Sequence, residues 1–288
     1  MEYPRVGVGL PNYGPYASPQ AILAVASAVE ALGFHSVSTF DRLLLPATPG
    51  WKNDFGLPEY PVYDAIETLT WVAARTSRIK LGTGVLLSLF QPPVVLARRL
   101  ATLDQLSAGR AEIAIGQGWL PEEFAAVGVP LSRRGAGFEE HLAAMRARWG
   151  PDPVEHDGPH YSIARAKIGP KPYNEYLPIY IGGLAPEAVA RAARIGDGFI
   201  TALRDWHACA TEIELYRSAG GTGPVLLRGN PDFDPASPAT SIASSLLNML
   251  TPAQSEGVDE VHFDLTISGL DPGRQVEALK ALALAMND

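Results

Sequence analysis

The sequence predicts a (β/α)8 TIM barrel, an α/β fold that forms one domain over residues 1–288. Two observations predict it: eight short strand-like segments alternate with eight amphipathic helices, and no Gly/Ser or charged linker interrupts them. Strands that alternate with helices pair in parallel through helical crossovers, and eight such units close most simply into a barrel. The alternative is an open doubly wound sheet, which usually has fewer units and a point where the strand order reverses.

The strand segments are short, rich in β-branched residues and bounded by glycine or proline, as barrel strands are. Segments such as VGVGL, IKLGTGVLL and EVHFDL show this composition. The predicted strands are, in chain order, 5–11, 34–40, 79–87, 110–116, 178–182, 197–203, 223–228 and 259–265.

The segment after each strand carries apolar residues at three- and four-residue steps, which is the helical period. In the first helix Ile22, Val25 and Val29 follow this spacing, and Ser18 and Pro19 supply an N-cap and a first-turn proline. The predicted helices are 18–32, 62–76, 92–107, 134–148, 186–195, 206–218, 240–255 and 273–286.

Three connections are long enough to count as insertions. Residues 41–61 follow strand two, residues 117–133 follow strand four, and the proline-rich residues 149–177 precede strand five. Loops that follow strands face the catalytic end of a barrel, so the first two are predicted active-site loops. The third leaves from the opposite end but is long enough to fold back over the mouth as a lid.

Composition limits the classes of function. A hydrophobic content of 47% with 19% charged residues is typical of a globular protein with a large core. The net charge of −8 argues against non-specific binding to nucleic acid or to acidic membranes. The single cysteine, Cys209, excludes an internal disulfide and fits a reducing cytoplasm. No membrane span and no signal peptide are expected, so the sequence predicts a cytoplasmic protein.

Glycine-rich and charged segments end several strands, where a barrel places its site. Residues 82–85 (GTGV) either relieve crowding or let the backbone approach a flat ligand closely. Residues 116–124 (GQGWLPEEF) follow strand four. Residues 182–183 end strand five and open helix five, either as a simple tight turn or as a site where backbone N–H groups bind phosphate. Asp41 and Arg42 end strand two, either as a surface ion pair or as functional groups.

Further charged residues end the later strands. Arg204 ends strand six, Arg228 ends strand seven and Asp264 ends strand eight, and Arg228 is a candidate anion contact because many barrels hold phosphate at these loops. His156 and His160 are four residues apart but lie in a proline-rich loop, so no metal site is predicted. The sequence contains neither G-x-S-x-G nor H-E-x-x-H, and no spacing singles out a pair of glycosidase carboxylates.

Taken together, several segments resemble the bacterial luciferase-like superfamily, and more narrowly its coenzyme F420-dependent oxidoreductases. The segments that carry the resemblance are 76–86 (TSRIKLGTGVL), 93–110, 116–124, 134–140, 179–183 (IYIGG) and 196–199 (GDGF). The resemblance is dense from about residue 34 to residue 200 and thin after residue 204.

The resemblance implies a barrel, usually a homodimer, that holds a deazaflavin or a flavin at its C-terminal mouth. A non-proline cis peptide between Gly84 and Val85 would form a bulge behind the ring. Asp41 would contact the ring system, Gly116 and Gly118 would line the ribityl chain, and residues 182–183 would hold the phosphate. The implied cofactor contacts are Asp41, Thr83, Gly84, Val85, Gly116, Gln117, Gly118, Trp119, Glu122, Gly182, Gly183 and Leu184.

The sequence departs from the sugar-phosphate and alcohol dehydrogenases of this group at two positions. They carry Asp-His after strand two and a glutamate after strand four, where this chain has Asp41-Arg42 and Trp119. Because arginine cannot act as a general base, we expect hydride transfer from reduced F420 to an activated C=C or C=N bond of a small organic substrate. Asp41, Arg42 and Tyr13 are the candidate catalytic residues, with Tyr13, Tyr63 or water as the proton donor. Arg42 could instead hold a substrate carboxylate or the cofactor tail.

Several aromatic and charged residues are predicted to contact the substrate. Trp51, Tyr63, Arg204 and Arg228 are the candidate substrate contacts, and an apolar wall is expected from Trp51, Phe55, Tyr60 and Trp119. The alternatives are a flavin mononucleotide (FMN) monooxygenase, a non-catalytic flavin- or deazaflavin-binding relative, and an unrelated barrel enzyme such as a hydrolase. Helices two and three are the predicted dimer surface.

Overall fold

In a computed structural model, which describes residues 3–53, 62–229 and 232–287, parallel strands close into a barrel surrounded by helices. The strands are β1 Arg5–Gly9, β2 Ser36–Thr39, β3 Lys80–Thr83, β4 Leu86–Leu87, β5 Ala111–Gly116, β6 Val154–Asp157, β7 Ser162–Ala166, β8 Ile179–Gly182, β9 Gly198–Ala202, β10 Val225–Gly229 and β11 Glu260–Phe263. The helices are α1 Pro19–Ala31, α2 Ala65–Ala73, α3 Pro93–Leu106, α4 Pro121–Ala126, α5 Ala136–Trp149, α6 Pro186–Ile195, α7 Trp206–Ser218, α8 Ala239–Ser255 and α9 Pro272–Asn287.

The barrel order is β3-β2-β1-β11-β10-β9-β8-β5, and β3 closes the ring by pairing with β5. All of these pairs are parallel. The predicted (β/α)8 barrel is therefore confirmed, and each predicted strand and helix has its counterpart. None of the helices in the described ranges is long and apolar enough to cross a membrane.

Local chemistry explains where the elements differ from their predicted bounds. The third predicted strand is divided into β3 and β4, because residues 84 and 85 leave the ladder between them. Helix α2 begins at Ala65 rather than at residue 62, because the Asp64 carboxylate accepts the N–H groups of Ile66 and Glu67 as an N-cap. The short helix α4 lies within the predicted loop 117–133.

The segment predicted as a lid, residues 149–177, contains the antiparallel hairpin β6–β7. The hairpin contacts α5, and the residues after it form hydrogen bonds with α3. The N–H groups of His160 and Tyr161 each donate to the Glu140 carboxylate over 2.8 Å, and the Tyr161 ring packs against His141 and under the Arg133 guanidinium. The hairpin thus packs along α5, and a lid role for this segment stays a prediction.

Polar side chains fill the barrel interior at its N-terminal end. The Glu260 carboxylate is fully buried, accepts the Ser36 hydroxyl, and lies 2.9 Å from His262 Nε2. Arg5 Nε and His35 Nε2 each lie 3.6 Å from its second oxygen. Burial opposes ionisation of Glu260, but attraction to His262 and His35 and hydrogen bonds from His262 and Ser36 outweigh burial and lower its pKa to about 2.

We expect Glu260→Gln to change how stability depends on acid. A carboxyl whose pKa is lowered by folding stabilises the fold above its unfolded value near 4.5, and this contribution of about 3 kcal/mol is lost as pH falls toward 2. Denaturant unfolding measured between pH 2.5 and 7 checks this: the wild type should lose this stability on acidification and Glu260→Gln should lose much less. The exposed Glu277→Gln is the matched control, and a Glu260→Gln curve parallel to the wild type would contradict the prediction.

Candidate active site

The end of β3 forms the centre of the C-terminal mouth. The peptide bond between Gly84 and Val85 is cis, as predicted. The Gly84 N–H donates to the Thr39 carbonyl over 2.9 Å, and Arg228 Nη1 donates to the Gly84 carbonyl over 2.7 Å. The Val85 side chain packs in the barrel interior against a small apolar cluster of Ala114, Tyr180, Ile200 and Leu226.

Two of the predicted cofactor glycines make room for Val85. A Cβ added at Gly116 would lie 2.8 Å from Val85 Cγ2, and one added at Gly182 would lie 2.7 Å from Val85 Cγ1. Both distances are too short for real side chains, so neither position accepts one while Val85 stays in place. The backbones of β5 and β8 therefore pack closely against Val85. This packing alone requires glycine at both positions, independently of any ligand.

The remaining residues predicted after strands four and five also have packing roles. At Gly118, φ is +77° and an added Cβ would lie 3.1 Å from Phe90 and 3.2 Å from Phe124. At Gly183 an added Cβ would collide with Ala188 in the first turn of α6. Gln117 Oε1 accepts the Gly135 N–H at the start of α5. Trp119 and Leu184 are each 43% exposed and lie on the rim of the mouth.

A buried network joins four strand ends behind this wall. The Tyr13 hydroxyl donates to Asp264 and lies 2.8 Å from both carboxylate oxygens. Arg228 Nη2 lies 2.6 Å from Asp264 Oδ2, and the same guanidinium donates to the Gly84 carbonyl. Burial, together with the charge of Asp264 and the hydrogen bond to it, raises the pKa of Tyr13 far above its usual value. In this geometry the Tyr13 proton is directed at Asp264 and not at the mouth.

Asp41 follows β2 and is tied to β4, which continues the neighbouring strand β3. Its Oδ2 accepts the Leu87 N–H over 2.8 Å. Burial raises the pKa of Asp41 to about 6, although the Leu87 hydrogen bond partly opposes this. Asn12 fixes the backbone next to it, because its Nδ2 donates to the carbonyls of Phe40 and Tyr63 and its Oδ1 accepts the Phe40 N–H. A carboxyl with this pKa can carry or release a proton near neutral pH.

Arg42 does not pair with its neighbour Asp41. Its guanidinium carbon lies 5.1 Å from the centroid of the Phe40 ring, and its Nη1 is buried and has no hydrogen-bond partner. Burial lowers the pKa of Arg42, and the nearby Glu123 charge partly opposes this. The Glu123 carboxylate itself accepts the N–H groups of Leu43 and Leu44, which holds the loop that carries Arg42.

Three buried polar atoms of the described mouth residues have no hydrogen-bond partner: Thr39 Oγ1, Arg42 Nη1 and Glu122 Oε2. Buried polar atoms in proteins are usually hydrogen-bonded, so these three atoms are available to bind a ligand or a water. Thr39 ends β2, Arg42 follows it, and Glu122 lies in α4 after β5; β2 and β5 are the strands on either side of β3. A hydroxyl, a cation and a carboxylate on loops and strand ends at this end of the barrel supply hydrogen-bond donors and acceptors, so the residues present fit a polar ring cofactor such as a flavin or a deazaflavin.

Other predicted site residues are engaged elsewhere or lie apart. The Thr83 hydroxyl bonds both backbone groups of Ala114 and so joins β3 to β5. Arg204 pairs with Glu212 on α7. Tyr63 is 43% exposed and touches the mouth through its backbone, and the Trp51 N–H donates to the Thr48 carbonyl. Phe55 and Tyr60 fall outside the described residues.

Sequence reasoning did not assign a site role to Asn12, Phe40, Thr39 or Glu123. Asn12 and Thr39 stand at or just after strand ends, which is the signal that could have found them. Phe40 and Glu123 are recognised only by what they contact: the Phe40 ring packs against the Arg42 guanidinium and the tilted Tyr13 ring, and the Glu123 carboxylate accepts N–H groups of the loop after β2.

Comparison with known proteins gives concordant results. A family model described as luciferase-like monooxygenase matches residues 5–235. An uncharacterized protein of Mycobacterium tuberculosis is 34% identical over 190 residues, which cover 63% of this chain and 67% of that protein. An F420-dependent glucose-6-phosphate dehydrogenase of Beutenbergia cavernae is 35% identical over 190 residues, covering 64% of this chain and 52% of that protein.

Among solved structures, the fold is similar to that of an F420-dependent secondary alcohol dehydrogenase in complex with an F420-acetone adduct. The TM-score is 0.80 at 17% identity, and the match covers all of both chains. At this identity the likeness establishes the fold, which agrees with the barrel described above.

Proposed function

This chain belongs to the luciferase-like monooxygenase family, and from that premise we propose that it is an F420-dependent oxidoreductase. The observation that carries the proposal is the mouth itself, where Thr39, Arg42 and Glu122 leave buried polar atoms unpartnered beside the wall at Gly84. The relatedness to F420-dependent glucose-6-phosphate dehydrogenases supports the deazaflavin over a flavin.

We propose that the reaction reduces an activated C=C or C=N bond of a small organic substrate. Reduced F420 would supply the hydride from C5 of its ring. Arg42 carries no lone pair that could accept a proton, and Trp119 is not ionisable, so oxidation of an alcohol by an internal base has no candidate at these two positions. Asp41 is the better proton carrier of the candidate catalytic residues, because its pKa lies near 6.

The chain's own residues would orient the ligands and exclude water. Arg228 fixes the Gly84 carbonyl at the wall that would support the cofactor, and Asp264 holds Arg228 in turn. The proton-donor role of Tyr13 stays a prediction, since its hydroxyl donates to Asp264 in this geometry. Trp119, on the rim, would cover the ring face that the substrate approaches.

The second candidate is an FMN monooxygenase, which the description of the matching family favours. A non-catalytic flavin-binding protein is a third reading, because the Asp-His pair of the dehydrogenases is absent. The three readings differ in cofactor preference, in oxygen consumption and in turnover.

Titration of the purified protein with F420 and separately with FMN, followed by fluorescence, tests the proposal. We expect F420 to bind in the micromolar range and FMN more weakly. Asp41→Ala should weaken binding of F420. Asp259→Ala is the matched control, because its carboxylate also accepts one backbone N–H at a strand end, but at the opposite end of the barrel. Preference for FMN with oxygen consumption would establish the second candidate instead.

We also propose that the protein is a homodimer that pairs through α2 and α3. The outer surface of these helices forms a groove lined by Ile66, Trp71, Ala74, Thr102 and Leu103, and Trp71 is 41% exposed. A second copy would cover the exposed side chains of Trp71 and Ala74. The molar mass in solution, measured by light scattering, distinguishes a dimer from a monomer.

A further inference from the structure

We propose that Arg42 is the receptor for an oxyanion of the substrate, so that the enzyme acts on organic molecules that carry a carboxylate or a phosphate. The inference rests on the proposed function, because it places this substrate against a cofactor in the same mouth. The shared chemistry is an oxyanion bound by a guanidinium, and the experiments below separate a substrate oxyanion from one on the cofactor.

The Arg42 guanidinium has no counter-ion in direct contact among the described residues. An arginine side chain keeps its charge inside proteins, and a buried charge without a partner is costly. Among the described residues Arg42 forms no hydrogen bond and no ion pair within 4.0 Å, although its Nη1 is buried. Asp41, the nearest carboxyl in sequence, is directed to the Leu87 N–H instead. The Glu123 carboxylate influences the charge of Arg42 but forms no hydrogen bond or ion pair with it, so the guanidinium has no anion in direct contact.

The Arg42 guanidinium is held in place before any ligand binds. Arg42 stacks on Phe40, and Glu123 holds the backbone of the next two residues through two N–H groups. Asn12 fixes Phe40 through both of its backbone groups. A receptor that is held before binding loses less conformational entropy when its ligand arrives.

The contrast with Arg228 supports the assignment. Arg228 lies 5.9 Å from the same Phe40 ring, so two guanidinium groups flank one aromatic side chain. Arg228 is neutralised by Asp264 and donates to Gly84. The positive charge that remains available at this side of the mouth is therefore that of Arg42.

Topology favours the substrate as the source of the anion. The cofactor phosphate is expected at residues 182–183, at the end of β8. In the barrel, β2 and β8 are separated by β3 and β5 on one side and by four strands on the other. Arg42 therefore follows a different part of the barrel from the expected phosphate position, which leaves its guanidinium available to an anion of the substrate.

Calorimetric titration of the F420-saturated protein with benzoate, phenyl phosphate and the neutral benzamide tests the proposal. We expect at least one of the two anions to bind, and benzamide to bind at least about tenfold more weakly than that anion. Because charged hydrogen bonds are strong, Arg42→Gln should weaken the anion about tenfold to a hundredfold, and Arg42→Lys should retain part of the affinity. Arg75→Gln is the matched control, because Arg75 also stacks on an aromatic ring, Trp71, at the end of α2 far from the mouth.

Three results would overturn the proposal. The first is that neither anion binds the wild type, and the second is that Arg42→Gln binds both as the wild type does. The third is that Arg42→Gln lowers the affinity for F420 but not for its uncharged ring-and-ribityl headgroup, because the cofactor tail would then be the anion. If the wild type binds neither F420 nor FMN, the proposed function fails separately, and the same anion titrations on the cofactor-free protein still decide the role of Arg42.

Discussion

Asp264→Ala is expected to lower the free energy of unfolding by about 3 kcal/mol and to weaken binding of the cofactor. Asp264 is 3% exposed, and its carboxylate partners both Arg228 and the Tyr13 hydroxyl. Removing one member of a buried ion pair leaves the other charge uncompensated, at a cost of about 3–5 kcal/mol. The lower end of that range applies here because the Arg228 side chain remains 21% exposed and regains some water.

Two variants with smaller expected losses of stability show whether the loss in Asp264→Ala comes from its ion pair with Arg228. Tyr13→Phe removes one neutral donor and should cost only about 1 kcal/mol. Asp205→Ala is the matched control, because Asp205 caps α7 from the surface and should also cost about 1 kcal/mol. Denaturant unfolding of the four proteins and fluorescence titration with F420 provide the measurements. A loss no larger for Asp264→Ala than for Asp205→Ala would show that the pair with Arg228 adds no stability.

The fold was predictable because its signals are local. Each strand and helix is encoded in its own stretch of the chain, and the first helix even shows its cap, since Ser18 Oγ accepts the Ala21 N–H. Eight successive units then leave little choice of architecture. The hairpin β6–β7 was not predicted, because in residues 149–177 the prolines obscure the alternation and the hairpin is stabilised by its contacts with α5.

The site was predictable in position but not in pairing. Arg204 and Arg228 both end strands and look equivalent in sequence. The structure gives one of them Glu212, eight residues away, and the other Asp264, 36 residues away. Asp41 and Arg42 suggest an ion pair because they are adjacent, but their side chains bond or stack on different partners. Arg228 and Asp264 meet only when β10 and β11 pair in the folded barrel, so no local sequence pattern predicts this ion pair.

Gly116→Ala is expected to destabilise the barrel and to disturb the wall at the mouth. The added Cβ would lie 2.8 Å from Val85 Cγ2, so Val85 or β5 must move. Overpacking of this kind costs about 1–3 kcal/mol, and a shift of Val85 would move the wall at Gly84 and weaken binding of F420. Unfolding by denaturant and fluorescence titration measure the two effects. Gly169→Ala is the matched control, since an added Cβ there meets no atom within 4 Å, and it should change stability by less than about 0.5 kcal/mol.

The double variant determines whether Val85 is the cause. Val85→Ala removes the methyl groups that face Gly116 and Gly182, at a cost of about 0.8 kcal/mol for each buried carbon. If the collision explains the loss, Gly116→Ala combined with Val85→Ala should be more stable than the sum of the single changes by about 1–2 kcal/mol, within the range found for residues in contact. Strict additivity would mean that Gly116 is needed for another reason, and its role in making room for Val85 would have to be abandoned. Recovery of stability without recovery of F420 affinity would mean that the Val85 side chain itself shapes the wall behind the ring.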